Sequence, residues 1–234
     1  MSESAQNAFV VGLSLSRSGD FESARGALIT SMLAGDPEWS PRAAGLLGEL
    51  FLQRNDFAEA EPVLRRAVEA HHPEWSPSAG LALGIALAGR GDAAGAEQAY
   101  RAVIATGHRD HAPNAWFNLG TLYQQRHAPE QAVAGYRSAI ELGHPEIGPK
   151  AMVNLGFVLF NDLHDTAGAV AAFQAAVDSG HPQQAGLART NLKAIQQLAA
   201  QTKQTYEATT DDVDVSTGHG EGDLHWKTWH PKND

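Results

Sequence analysis

Residues 114–149 read NAWFNLGTLYQQRHAPEQAVAGYRSAIELGHPEIGP, and the same pattern recurs in weaker form along most of the chain. One glycine marks each copy, and Leu or Val precedes it. These glycines follow one another at intervals of 36 residues: Gly12, Gly48, Gly84, Gly120 and Gly156. A fixed period of about 20 to 50 residues is typical of a solenoid, in which each unit buries its apolar face only against its neighbours. The sequence therefore predicts one elongated repeat domain.

The period defines five units, and each unit is predicted to be a helix hairpin. The first helix of a unit is expected to begin at a proline, as at Ser40-Pro41, where serine can cap the free amides of the first turn. The second helix is expected to end at a glycine such as Gly143. The units are 6–41, 42–77, 78–113, 114–149 and 150–186, the last one residue longer.

Aspartates fall in the turn inside several units, where the second helix needs an N-cap. Asp56 with Glu59 predicts a capping box there, and Asp20 and Asp92 occupy the same place in their own units. The recurring glycine is expected where the two helices cross most closely, because a larger side chain would push them apart. A recurring alanine of the second helix is expected to share that role: Ala24, Ala60, Ala96, Ala132 and, one place late because of an insertion in the turn, Ala169.

The unit at 114–149 resembles a tetratricopeptide repeat. The residues that fit the W-x2-L-G-x2-Y opening and the remainder of that pattern are Trp116, Leu119, Gly120, Tyr123, Ala132, Tyr136 and Pro145. The resemblance covers residues 6 to about 200. It implies an all-α, right-handed solenoid of five hairpin repeats plus a capping helix, whose first helices line a concave face that holds a protein or peptide partner.

The ends of the chain depart from the repeat. Residues 1–5 are expected to be a frayed lead-in to a solenoid spanning 6–206. Residues 187–206 predict an amphipathic capping helix, in which Lys193 replaces the repeat glycine. Residues 207–234 are rich in Gly, Thr and Asp without a helical period, and they predict an acidic, flexible tail that carries Trp226 and Trp229.

Composition excludes several classes of protein. Apolar residues make up 43% and charged residues 19%, which suits packed helices and argues against a disordered chain. No cysteine is present, so disulfides and thiol nucleophiles are excluded. A net charge of -10 without a basic stripe argues against nucleic acid as a partner. With no signal peptide or long apolar run, the expectation is a soluble cytoplasmic protein that needs neither a cofactor nor a membrane.

An asparagine column is the strongest functional signal. Asn118, Asn154 and Asn191 occupy the same place in successive first helices. Asparagine at this place resembles the ladder with which some tetratricopeptide proteins hydrogen-bond the backbone of an extended peptide, and an amide offers a donor and an acceptor for that purpose. Bonds to neighbouring helices or water are the alternative. The other residues expected to face the groove are Phe117, Thr121, Gln124, Gln125, Lys150, Phe157 and Phe160, with about half of the phenylalanines in the core.

The resemblance does not extend to a clamp for a chain-terminal carboxylate, because Lys150, Arg189 and Lys193 do not fall at the positions such a clamp uses. A histidine column follows the second helices: His72, His108, His144 and His181. We interpret it as capping of helix C-termini, since members about 10 Å apart cannot share one metal ion. Trp39 and Trp75, in two identical PEWSP linkers, are interpreted as wedges between units.

The tail allows three interpretations. Trp226 and Trp229 could form a recognition motif for another protein, dock into the chain's own or a neighbouring groove, or stand near a histidine-based metal site, which has no recognised spacing.

Two functions follow from these patterns, with catalysis a distant third. The first is a non-catalytic scaffold, adaptor or assembly chaperone that binds a peptide or protein segment in the groove. The alternative is a structural protein that forms homo-oligomers through the tail. An enzyme would need converging titratable groups, and no Ser-His-Asp order, phosphate loop or HExxH motif occurs.

Overall fold

The structure is a computed structural model that describes residues 2–211, and within that range all regular structure is α-helical. Helices that open a hairpin are called A helices and those that close it B helices. The hairpins are α1 (Ser2–Ser18) with α2 (Phe21–Leu33), α3 (Trp39–Gln53) with α4 (Phe57–Glu69), α5 (Trp75–Gly89) with α6 (Ala93–Ala105), α7 (His111–Gln125) with α8 (Pro129–Glu141), and α9 (Ile147–Asn161) with α10 (Thr166–Asp178). A last helix, α11, spans Pro182–Asp211. The all-α, right-handed solenoid of five hairpins plus a terminal helix is confirmed.

The chain divides into two units by its internal contacts, residues 1–195 and residues 196–234. The first unit holds the five hairpins and the beginning of α11. The described part of the second unit, 196–211, is helical. Helix α11, at Pro182–Asp211, begins earlier and ends later than the bounds of 187–206 expected for the capping helix.

The recurring glycine lies where the two helices of a hairpin come closest. A Cβ atom at any of the five glycines would lie within 3.0 Å of a bulky B-helix side chain. Those side chains are Leu28, Leu64, Tyr100, Tyr136 and Phe173. The predicted close crossing at the glycines is confirmed. The side chain opposite each glycine, however, is the bulky B-helix residue, which is four positions after the recurring alanine. The alanines themselves are fully buried.

The first helices begin two residues before the predicted proline, so the proposed serine caps are wrong. α3 starts at Trp39 and its N-cap residue, Glu38, makes no side-chain capping bond. The hydroxyl of Ser40 instead donates to the carbonyl of Ser31, at 3.0 Å. In the next junction the Ser76 hydroxyl donates to a carbonyl of α4 in the same way. These serines satisfy the free carbonyls at the end of the preceding B helix.

Aspartate caps the second helix in three hairpins. Asp20, Asp92 and Asp165 each accept a hydrogen bond from the amide three residues on, at 2.8–3.1 Å. Asp56 makes no such bond and pairs with Arg54 at 3.3 Å, so the predicted capping box is wrong. The insertion in the fifth hairpin does lie in the turn, which has four residues (162–165) where the fourth hairpin has three (126–128).

The N-terminal residues belong to the first hairpin, in contrast to the expected lead-in at 1–5. Ala5 lies within α1 and is 1% exposed, and its carbonyl accepts a hydrogen bond from the buried hydroxyl of Ser31 at 2.8 Å. Within residues 2–211, no helix combines the length and apolar character needed to cross a membrane.

Candidate interaction surface

The A helices form a continuous layer, here called the A-helix face. From α1 to α9, the backbone of each A helix lies close to that of the next one, whereas the backbones of successive B helices in the described hairpins do not approach each other as closely. The A helices are therefore closer together than the B helices, as on the inner side of a curved array.

The A-helix face is almost free of charge in its middle. α5 and α7 contain no Asp, Glu, Lys or Arg, α3 contains only Arg42 and Glu49, and α9 contains only Lys150. The acidic residues concentrate in the B helices and turns. The central A helices thus offer apolar and amide groups to a partner.

The hydroxyl of Tyr136 gathers three residues that the sequence assigns to the groove. It donates to Gln124 Oε1 at 2.9 Å and accepts from Asn154 Nδ2 at 3.4 Å, and Thr121 Oγ1 lies 3.2 Å away. Thr121 donates its own proton to the carbonyl of Phe117. Burial raises the pKa of Tyr136, against a lowering by the bonds with Thr121 and Asn154. In this part of the face the polar groups are therefore occupied by one another.

The hydroxyl of Tyr100, one repeat earlier, has no such partners. Ile85 and Ala88 stand where Thr121 and Gln124 stand in the next repeat, and neither can hydrogen-bond through its side chain. Asn118 is the counterpart of Asn154, but its amide and the Tyr100 hydroxyl make no hydrogen bond to any residue within 2–211. Burial raises the pKa of Tyr100, so the phenol stays protonated and can donate.

These two unpaired groups line a groove between α5 and α7, here called the central groove. It has a volume of about 300 Å³, and its apolar wall includes Phe57, Ile85 and Leu122. Thr121 and Gln125 also line it, whereas the other predicted groove residues do not.

The asparagine column is therefore not a uniform ladder. Asn118 lines the central groove, Asn154 is bound to Tyr136, and Asn191 donates to the carbonyl of Leu187 in its own helix at 2.8 Å. The phenylalanines are half-buried. Phe117 packs on the ring of Tyr136 and Phe157 on that of Phe173, with centroid distances of 5.7 and 5.5 Å.

Lys150 and Phe160 are also half-buried on α9. Trp226 and Trp229, the residues predicted to dock through the tail, lie outside the described residues.

An arginine enclosed by aromatic rings, which the sequence did not reveal, lies near the N-terminal end of the A-helix face. The guanidinium of Arg42 is 4.1 Å from the ring centroid of Trp75, 4.6 Å from that of Trp39 and 5.2 Å from that of Phe9. Such stacking is favourable, more so when the cation is desolvated. The two tryptophans thus act within the protein, as the wedge interpretation requires. A signal was present in PEWSPR, where arginine follows one linker at helical spacing from its tryptophan.

Glu49 and Arg42 line one pocket, which also borders on Phe9 and Trp75 and is separate from the central groove. Desolvation by the surrounding side chains raises the pKa of the Glu49 carboxyl, and a hydrogen bond from the Ser78 hydroxyl opposes this shift. Arg42 and Glu49 are the two charged residues of α3. Since α5 and α7 have none, this pair is the charged part of the A-helix face from α3 to α7.

The histidine column acts at the start of the next helix rather than at the end of the preceding one, so the capping interpretation was wrong. His72 Nδ1 accepts from the amide of Glu74 at 3.3 Å, and His108 and His144 accept from the equivalent amides at 3.2 Å. His181 Nδ1 accepts from the amide of Gln184. At the first junction the carboxylate of Asp36 does the same. A neutral imidazole with its proton on Nε2 is what this geometry uses.

Comparison with known proteins agrees with this architecture. The model of the tetratricopeptide repeat family matches residues 12–74 and 81–151, more than half of the chain. The chain belongs to the tetratricopeptide repeat family.

Solved structures give the same fold. A crystal structure of MamA protein aligns with a TM-score of 0.63 at 20% identity, covering 76% of this chain and 93% of that one. MamA from residue 41 to its end, from Desulfovibrio magneticus RS-1, gives a TM-score of 0.62 at 20% identity over 77% and 97% of the two chains. BtubC (BKLC) from P. vanneervenii gives 0.64 at 16% identity over 95% and 87%. At these identities the likeness concerns the fold alone. No curated protein matches the sequence.

Proposed function

We propose that this protein is a non-catalytic interaction module that holds an extended, weakly charged segment of a protein partner in the central groove. Tetratricopeptide repeats are in general interaction modules, and the fold sets no requirement for chemistry. Scaffold, adaptor and assembly chaperone are the roles that such a module serves.

The observation that carries the proposal is the pair of unpaired polar groups in the central groove. Tyr100 supplies a hydroxyl and Asn118 an amide, side by side with the exposed face of Ile85. An extended peptide offers alternating carbonyl and amide groups that such donors and acceptors can satisfy, while its side chains cover the apolar wall. In the next repeat the equivalent tyrosine hydroxyl and asparagine N–H are bonded to each other, and the hydroxyl also donates to Gln124, so these groups are less available to a ligand.

The charge pattern supports the same partner. Because α5 and α7 carry no formal charge, a peptide rich in Lys, Arg, Asp or Glu would lose hydration there without gaining an ion pair. A partner segment with apolar and uncharged polar residues avoids this cost.

A random peptide library displayed on phage and selected on the full chain tests the proposal. Enriched peptides should be poor in charged residues. When synthesised and titrated, they should bind the Asn118→Ala and Tyr100→Phe variants about five- to tenfold more weakly than the unaltered protein, the loss of about one hydrogen bond.

Gln131→Ala, on the exposed surface of α8, is the matched control and should leave affinity unchanged. Since Asn118 makes no bond within the described residues, its loss should not lower the melting temperature, which separates a binding role from a structural one. Equal affinity for all three variants would refute the central groove as the site.

A further inference from the structure

A second surface is defined by comparing one junction across the repeats. At this junction a B helix meets the next A and B helices, and two positions decide how much space is left. The A-helix position holds Ala8, Ala44, Gly80, Trp116 and Met152 in the five repeats. The B-helix position holds Thr30, Arg66, Ala102, Ser138 and Ala175. The third repeat combines the only glycine with an alanine.

Neighbouring repeats fill this space with their own side chains. In the second repeat Arg66 reaches across and donates to the carbonyl of Met32 at 3.4 Å. In the fourth repeat the half-buried indole of Trp116 packs against the core at the place that corresponds to Gly80. In the same chain, therefore, this junction accommodates a side chain as large as an indole.

In the third repeat the space is an open notch, here called the Gly80 notch. It has a volume of about 470 Å³ and lies between α4, α5 and α6. Its wall is mostly apolar, with Val68, Pro77, Ala102 and Val103 around Gly80. It is separate from the central groove, since the two share no lining residue.

Exposed carboxylates adjoin the notch, and Arg101, an exposed cation next to the lining residue Ala102, already pairs with Glu97 at 3.0 Å. Glu69 and Glu74 flank the lining residues Val68 and Pro73 in the chain, and both are exposed. A segment that places a large aromatic side chain in the notch would be favoured if it also carried positive charge.

We propose that the Gly80 notch binds the segment 224–232 of a second copy of this chain, LHWKTWHPK, with the indole of Trp226 or Trp229 in the space that Trp116 fills one repeat later. The segment carries two lysines and no acid, which complements Glu69 and Glu74. An indole buries about 150–250 Å² of surface and keeps one N–H donor, for which the imidazole of His71 beside the notch offers an acceptor. Because notch and segment are different surfaces, the contact joins copies head to tail.

Binding of a labelled peptide tests the contact directly. The peptide is LHWKTWHPK, residues 224–232, with a fluorophore at its N-terminus. The receptor is the full chain with Trp226→Ala and Trp229→Ala, whose own tail cannot compete, and the readout is fluorescence anisotropy. The added substitution Ala102→Arg, which copies Arg66 of the preceding repeat and should therefore fold, is expected to weaken binding at least tenfold.

Gln131→Arg is the matched control, because it adds the same charge to an exposed site on α8, a helix that does not line the notch. It should bind the peptide as the parent does. Gly80→Trp, which copies Trp116, is a second way to fill the notch, although a Cβ there displaces Val103, 2.8 Å away. Failure of the peptide to bind, or equal binding by Ala102→Arg and Gln131→Arg, would overturn the proposal.

Complementation tests the assembly itself. The Ala102→Arg chain keeps an intact tail, and the Trp226→Ala/Trp229→Ala chain keeps an intact notch. Each alone should be monomeric by light scattering, a mixture should give a one-to-one complex, and the unaltered protein should grow in mass with concentration. A mixture that stays monomeric would contradict the head-to-tail contact, whatever partner the central groove binds.

Discussion

The third and fourth repeats have the same backbone and the same central glycine, yet they differ in what they leave open. In the fourth repeat the half-buried Trp116 packs against the core at this junction, and the hydroxyl of Tyr136 is hydrogen-bonded to Gln124 and Asn154. In the third repeat the corresponding residues are Gly80, the unpaired hydroxyl of Tyr100, and Ala88. A repeat can therefore exchange internal contacts for surface that a partner can use, without changing the hairpin.

The largest effect should come from the crossing of α7 and α8. A Cβ atom at Gly135 would lie 2.9 Å from backbone atoms of Gly120, which cannot move aside as a side chain can. Gly135→Leu should destabilise the protein by about 3 kcal/mol, and the melting temperature should fall by roughly 6–12 °C. Ala99, its counterpart in the third repeat, already carries a Cβ, and Ala99→Leu should cost less than about half as much. Thermal unfolding followed by circular dichroism compares the pair, and equal losses would show that the two crossings are alike.

Removal of the two tyrosine hydroxyls should separate the repeats next. Tyr136→Phe leaves Gln124 and Asn154 without their partner and should cost about 1–2 kcal/mol in urea unfolding. Tyr100→Phe removes a hydroxyl that has no partner within 2–211 and should cost close to nothing. If Tyr100→Phe is as destabilising as Tyr136→Phe, the third repeat is not the open one.

The two asparagines should show the same contrast on a smaller scale. Asn154→Ala loses a long hydrogen bond to Tyr136 and should lower stability by about 0.5–1 kcal/mol, whereas Asn118→Ala should leave it unchanged. Urea midpoints of the two variants, with Asn191→Ala as a third member of the column, give the measurement. A loss confined to Asn118→Ala would reverse the assignment of the two residues.

The smallest effect concerns pH. Burial, with a contribution from His108, lowers the pKa of His111. His111 lies in the fourth repeat at the position that Trp75 occupies in the third. A histidine with a lowered pKa in the folded state binds its proton more readily when unfolded, so stability falls as the pH drops below about 6.5. His111→Trp should reduce this fall, measured as melting temperature between pH 7.5 and 5.5. An identical slope in the variant would show that His111 does not contribute.

The sequence predicted features whose signal lies within a few residues or recurs with the period. The glycine column, the hairpins, the aspartate caps at Asp20 and Asp92 and the insertion before Ala169 are of this kind. The contrast between Tyr100 and Tyr136 was not predictable in this way, because it depends on side chains from three helices that meet only after packing. The role of the histidines was also missed, since spacing places the ring near a helix end but does not say which way Nδ1 points.

His181 links two junctions at once, and this bears on the cooperativity of unfolding. Its Nδ1 accepts from the amide of Gln184 at the start of α11, and its Nε2 lies 3.1 Å from Glu146 Oε2, just before α9. The hydrogen bond with His181 lowers the pKa of the Glu146 carboxyl. One imidazole thus bonds both to the residue just before the fifth hairpin and to the start of the helix that follows it. Fraying of α9 and fraying at the start of α11 are thereby coupled, so the last hairpin is expected to open as a unit instead of helix by helix.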